Sequence, residues 1–158
     1  MPFQTLLGRF TAAVEAGDGK ALGSLFTPDG VYRDTFYGAF AGPDAISRML
    51  TDYFWRDAEA FKWDMVEPVS DGRIGYARWA FGYVSKLAES RGRRVAFTGM
   101  SRFALADELI ARYDEAFNAG DAFVQLGMAP ERVAKILGRM SEASLRTDSL
   151  VRHLARSR

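Results

Sequence analysis

From the start of the chain, apolar residues fall at Phe3, Leu6, Leu7, Phe10 and Val14, the spacing of one helix face, and Gly17-Asp18 supplies a C-cap followed by a new N-cap. A short second helix is expected over residues 21–26, stopped by Thr27-Pro28-Asp29-Gly30, a turn signature. Residues 31–35 read as a short strand. Gly42-Pro43-Asp44 then opens a third helix with Ile46, Met49, Leu50, Tyr53 and Phe54 on one stripe. After Asp57 the period changes to two: Phe61, Trp63 and Met65 alternate with Lys62 and Asp64. Asp71-Gly72 is a hairpin turn leading into residues 73–86, the longest strand candidate. Glu89-Ser90-Arg91-Gly92 turns the chain back into residues 94–106, and Asp107-Glu108 turns it again into residues 109–117. Long strands joined by short turns form an antiparallel meander with the helices ahead of it, which is α+β rather than a βαβ sheet. Residues 119–127 read as a helical turn. From Pro130 a helix carries Val133, Ile136, Leu137 and Met140. Its stripe falters over residues 141–149 and resumes at Leu150, Val151 and Leu154, so a break is expected there.

Composition narrows the function more than the fold. At 158 residues and 48% apolar, the chain fits one domain with a full core. Twenty-one Lys and Arg against 20 Asp and Glu exclude a broadly basic nucleic-acid binder and an acidic disordered chain. Residues 128–158 carry a net of +4, spread along an amphipathic pattern, which reads as a solvated helix face. With no Cys there is no disulfide, thiolate zinc site, iron–sulfur cluster or Cys nucleophile. One histidine, His153, excludes multi-His metal centres and reads as an exposed helix residue. Asp52, Asp57 and Glu59 lack metal-ligand spacing, and Arg91-Gly92-Arg93-Arg94 reads as a charged hairpin tip. No phosphate-cradling glycine loop and no Ser-His-Asp arrangement is present. Neither a metal nor a cofactor is therefore expected. No apolar run approaches the roughly 18 residues of a membrane span, and Arg9 and Glu15 interrupt what a signal peptide would need. The expected setting is cytoplasmic, away from membranes and nucleic acid.

The local wording carries a resemblance. Phe10 followed by Glu15-Ala16-Gly17-Asp18, then Leu25-Phe26-Thr27-Pro28-Asp29-Gly30-Val31-Tyr32-Arg33-Asp34, resembles the opening of SnoaL-like and ketosteroid-isomerase-like proteins of the NTF2-like superfamily. Phe40 with Gly42-Pro43-Asp44-Ala45-Ile46 does the same. Arg78-Trp79-Ala80-Phe81-Gly82, Gly99 with Ser101 and Phe103, and Gln125-Leu126-Gly127 are similar to the SnoaL-like branch. The resemblance covers about residues 3–127. It implies an NTF2-like (cystatin-like) cone: a curved antiparallel sheet wrapped by N-terminal helices, with residues 1–127 as the domain and residues 128–158 as a helical extension of it. The family's chemistry is mixed, spanning isomerases, polyketide cyclases, epoxide hydrolases and dehydratases, so the fold alone does not name a reaction.

In such a cone, strand parity decides what faces the cavity, and the resemblance sets the phase. Asp34 matches the general-base aspartate of ketosteroid isomerases, Ser101 the position of their oxyanion-hole aspartate and Phe10 that of their oxyanion-hole tyrosine. On this alignment Tyr32, Tyr76, Arg78, Ala80, Phe97, Ser101, Phe103, Tyr113, Glu115 and Phe117 also face inward. Asp34 is the catalytic candidate, a carboxylate whose burial would raise its pKa toward neutrality; the alternative is a capping aspartate at a strand end. Ketosteroid isomerisation is disfavoured because Phe10 has no hydroxyl and Ser101 no acidic proton. Arg78 and Glu115 match part of the Asp–Arg–Asp set of limonene-epoxide-hydrolase-like members, but Ala80 stands where the second acid belongs. Arg78 is either an anchor for a carbonyl or carboxylate or an internal salt bridge. A slip of one residue would put it outside and Trp79 inside. With the first phase, Trp79, Phe81 and Tyr83 form an apolar outer patch, covered in a homodimer or by the C-terminal helix. The expected function is binding of a small apolar carbonyl compound through Phe10, Tyr32, Tyr76, Arg78, Ser101, Phe103, Tyr113 and Glu115. Cofactor-free acid–base isomerisation, cyclisation or dehydration on Asp34 would follow. The alternative is a non-catalytic ligand-binding or dimerisation module.

Overall fold

The structure is a computed structural model that describes residues 1–156. Helix α1 (Phe3–Ala16) buries Leu6, Leu7, Phe10, Ala13 and Val14 and ends at Gly17, whose φ of 67° needs the freedom of glycine. Asp18 caps the short α2 (Gly19–Gly23) by accepting from the Ala21 amide at 2.9 Å. Strand β1 (Phe26–Asp34) then runs straight through the expected turn at Thr27–Gly30. Phe26 pairs with Ile110 and Val31 with Arg112, so β1 holds extra residues against its neighbour, and the turn signature is a bulge inside a strand. The chain folds back as β2 (Gly38–Ala41), a short edge strand absent from the sequence reading, and enters α3 (Pro43–Met49). A π-type turn over Leu50–Phe54 leads into α4 (Trp55–Asp57).

The meander follows as β3 (Ala58–Ser70), β4 (Ile74–Ser85), β5 (Arg94–Ala106) and β6 (Leu109–Phe117). The six strands lie in the order β2-β1-β6-β5-β4-β3. All neighbours are antiparallel except β1 and β6, which run parallel. The architecture is therefore the α+β, NTF2-like cone expected from the sequence, with helices packed on the concave side. After β6 come α5 (Ala119–Gln125), α6 (Pro130–Leu145) and α7 (Asp148–Ala155). The break between α6 and α7 falls at Arg146–Thr147, inside the stretch where the apolar stripe falters, and neither helix has a fully buried residue.

One expectation fails on β4. Near the Asp71–Gly72 turn, Val69 pairs with Tyr76. Carried on without interruption, that register would pair Met65 with Ala80. Instead a bulge intervenes at Glu67, whose φ of 52° is left-handed, and Met65 pairs with Trp79 and Trp63 with Phe81. Cross-strand partners share a face, so Trp79, Phe81 and Tyr83 join Phe61 and Trp63 on the concave side. Tyr76, Arg78 and Ala80 point outward and are exposed. Trp79 stays inside because its partner is Gly99, where a Cβ would meet the indole at 2.4 Å. The outer aromatic patch that motivated a dimer, or a cover by the C-terminal helix, is thus not formed by those residues.

Candidate active site

The narrow end of the cone is filled with rings. Phe10 from α1 is fully buried, stacked on Tyr32 (centroids 6.0 Å apart, planes 6°) and edge-on to Trp63 and Phe103. Toward the wide end the filling stops and leaves a cavity of about 220 Å³. Twelve of its nineteen lining residues are aromatic, among them Phe61, Trp63, Trp79, Phe81 and Phe97. Its mouth lies near Leu87, Tyr37 and Met128, which are partly exposed. That volume exceeds the ~150 Å³ of a benzene-sized void and falls below the roughly 300 Å³ where drug-sized sites begin. A ligand of one or two small rings fits.

Two unpaired carboxylates interrupt this apolar wall. Asp34, at the end of β1, is 5% exposed. Its Oδ1 accepts from the backbone amides of Phe36 and Tyr37, each at 2.8 Å, which fixes the side chain, while Oδ2 accepts no hydrogen bond. Glu115, half-buried on β6, accepts from the Thr35 amide at 2.9 Å on Oε1 and from the Tyr113 hydroxyl at 3.0 Å on Oε2. Neither forms a salt bridge with any described cation. Burial raises Asp34 to about 6, against the pull of its two amide donors. Burial, and then the charge of Asp34, raise Glu115 to about 8, opposed by Thr35 and Tyr113. The two carboxyls are therefore harder to ionise together than apart, and near neutrality the pair shares a proton.

A relay across three strands holds Glu115 Oε2 in place. The Trp79 Nε1–H donates to Ser101 Oγ (2.8 Å), Ser101 donates to the Tyr113 hydroxyl (2.8 Å), and Tyr113 donates to Glu115 Oε2. An indole N–H can only donate, so Ser101 accepts at that end, and in this structure each later member accepts behind and donates ahead. Both Glu115 oxygens are thus engaged, Oε1 by the Thr35 amide and Oε2 by the Tyr113 hydroxyl. The mouth behaves oppositely. Asp57 also lines the cavity, but Arg56 binds it at 2.6 and 2.8 Å and the Tyr37 hydroxyl donates to it at 2.8 Å. The Arg56 bonds hold its carboxyl below the usual range.

The structure brings Tyr32, Asp34 and Glu115 to the cavity wall and puts Ser101 and Tyr113 behind it as relay members. Phe10 and Phe103 belong to the ring-filled end and do not line the cavity. Tyr76 is 42% exposed on the outer face, and Arg78 pairs there with Glu67 at 2.9 Å. Both were expected inside, and the Glu67 bulge reverses them. Among the described residues, no arginine anchor and no Asp–Arg–Asp set therefore stands in the cavity. The sequence reading missed Trp63, Trp79, Tyr83, Tyr37 and Asp57. The strict alternation of Phe61, Trp63 and Met65 was the signal for the first, and the Trp79-Phe81-Tyr83 spacing for the next two, once β4 is phased by β3. Among the described residues, no three His, Cys, Asp or Glu side chains cluster as metal ligands, and no helix is long and apolar enough to cross a membrane.

Comparison with known proteins agrees with this architecture. The sequence matches the profile of the SnoaL-like domain over residues 7–113. No curated protein matches it. Among solved structures, a hypothetical protein with a ketosteroid isomerase-like fold from Catenulispora acidiphila, bound to trimethylamine, superposes with a TM-score of 0.71 at 20% identity, covering 80% of this chain and 95% of that one. A protein proposed as a polyketide cyclase from Pseudomonas putida gives 0.65 at 19% identity, covering 79% and 98%. An LEH-like epoxide hydrolase of M. tuberculosis gives 0.64 at 17% identity, covering 77% and 86%. At these identities the likeness is one of fold.

Proposed function

The chain belongs to the SnoaL-like family, and on that premise we propose that it carries out cofactor-free acid–base chemistry on a small, largely apolar carbonyl-type compound held in the cavity. The observation that carries this reading is the pair of carboxyls in one apolar pocket with unlike environments. Two titratable groups whose surroundings separate their pKa values divide naturally into a base and an acid. Asp34 is the base: its Oδ2 is free, and it ionises first because two backbone amides favour its charged form. Glu115 is the acid, with Oε1 beside the Thr35 amide and Oε2 held by the relay. Asp34 would take a proton from the carbon next to the C=O or C=N bond. Glu115 would hydrogen-bond the heteroatom or return a proton at another position, giving isomerisation, ring closure or dehydration according to the substrate. The part first given to Arg78, polarising the ligand, falls to Glu115 and to the half-buried Tyr83 hydroxyl, which feels the charge of Asp34. The cytoplasm is the setting we propose for this activity.

The test is hydrogen exchange. In D₂O, small cyclic ketones incubated with the protein should gain deuterium next to the carbonyl faster than in buffer. Asp34→Asn should slow that gain by about 10²–10⁴, the usual worth of a positioned acid or base. Ketones that bind but show no exchange above buffer would sink the reading. The competing reading, a binding module without chemistry, draws support from Glu115, both of whose oxygens already have structural partners. It predicts bound ketone and no exchange in either protein.

A further inference from the structure

We infer that the ligand of this cavity carries a positive charge on nitrogen: a small ammonium, or the protonated imine that is the nitrogen counterpart of a carbonyl. The inference rests on the acid–base reading above and narrows its substrate class. Three observations carry it. Among the described residues no Lys, Arg or His lines the cavity, and the nearby Arg56 is spent on Asp57 at the mouth. The wall is mostly aromatic, and the faces of such rings are surroundings in which organic cations are held. Asp34 is a carboxylate more than nine-tenths buried whose Oδ2 has no partner and which lines that same cavity. A buried carboxylate without a counter-ion is costly, and a cationic ligand would be the missing partner.

The chemistry points the same way. Removing a proton next to a neutral carbonyl builds negative charge on oxygen, which here would develop beside the Asp34 carboxylate with no Lys, Arg or His among the described lining residues to offset it. A protonated imine avoids this. Asp34 takes the proton from the neighbouring carbon, the C–H electron pair becomes the C=C bond, and the C=N π pair moves to nitrogen. The product is a neutral enamine, so charge is lost rather than created. Where the substrate carries a further C=C beyond that carbon, the product is a dienamine, and return of the proton from Asp34 to its far end restores the cation with the C=C moved into conjugation. Raised carboxyls also imply that a bound cation drives the pair to ionise, releasing a proton. The other ionisable groups facing the pair are Tyr32, Tyr37, Tyr83 and Tyr113, with Asp57 and Lys86 at the mouth. The tyrosines that shift do so upward and stay neutral, so the carboxyl pair supplies the proton.

Three probes with one ring and different heads separate the possibilities: benzylamine, benzyl alcohol and acetophenone. Titration calorimetry at pH 8 should show benzylamine binding at least about tenfold more tightly than either neutral probe, with proton release read from two buffers of different ionisation enthalpy. Asp34→Asn should bring the preference below about threefold. Its folding is checked by thermal melting, and the wild-type preference stands without it. If acetophenone or the alcohol binds as well as the amine, or the preference survives in Asp34→Asn, the cation is overturned while the acid–base reading remains. If none of the three binds, both fall.

Discussion

The two ends of the cone are built from the same residue types and do opposite things. At the narrow end, Phe10, Tyr32, Phe103 and Tyr113 are fully buried and pack ring on ring. At the wide end, Phe61, Trp79, Phe81 and Phe97 also touch one another, yet they enclose a space and share it with two carboxyls. The difference is α1. It reaches the concave face only as far as Phe10 and Val14 and contributes no residue to the cavity, whose other side is made by single residues such as Phe54, Phe123 and Leu126. Aromatic content alone therefore does not distinguish core from pocket. What distinguishes them is whether a helix face covers the rings and whether ionisable groups are admitted among them.

The largest way to break this contrast is Phe10→Ala. The side chain is 0% exposed and touches five other rings, so its loss should cost about 3–5 kcal/mol. It should also extend the cavity into the narrow end. Chemical denaturation measures the first. A variant that binds larger ring compounds than the wild type shows the second. A loss under about 1 kcal/mol would mean the narrow end is not the packed core described here.

Much of this contrast was legible in the sequence, and the reasons for the remainder are specific. The stripe in α1 and the alternation in β3 each arise from one element meeting one core face, so they can be read locally. Asp34 and Glu115 were placed inward by the phase the resemblance supplies, and β1 and β6 keep that parity near them. On β4 the phase depends on a bulge in its partner. A single left-handed residue at Glu67 carries no sequence signature of its own, since glutamate has no special preference for it. The same holds for Thr27-Pro28-Asp29-Gly30, whose composition signals a turn and whose setting beside β6 makes it a bulge. The relay from Trp79 to Glu115 was out of reach for the same cause: its first donor was phased outward.

A smaller effect sharpens the contrast at the wide end. Folding raises the pKa of both carboxyls, so between about pH 4 and 8 the native state binds more protons than the unfolded chain. Stability is then fully present below the ordinary carboxylate range and declines as pH rises through about 6 to 8. Asp34→Asn keeps the Oδ1 acceptor for both amides and removes the charge. It should be more stable than the wild type by roughly 3 kcal/mol at pH 8 and equal to it near pH 4. Thermal melts across this range check it. A wild type whose stability rises with pH over the same interval would show the pair to be ionised in the folded state.

The smallest expected effect decides the strand phase on which the site depends. Arg78 reaches outward to Glu67, and both side chains are more than half exposed. An exposed pair of this kind contributes about 0–1 kcal/mol, so Arg78→Ala should change stability by less than about 0.5 kcal/mol. Ligand affinity and deuterium exchange should not change at all, because no atom of Arg78 lines the cavity. Trp79→Phe, one residue away, should behave differently: it removes the donor that polarises the relay and lets the Tyr113 hydroxyl turn toward Ser101. The pH profile of exchange should then shift while Arg78→Ala leaves it in place. Were the phase reversed, the two variants would exchange roles, since the arginine would stand among the carboxyls and the indole in solvent.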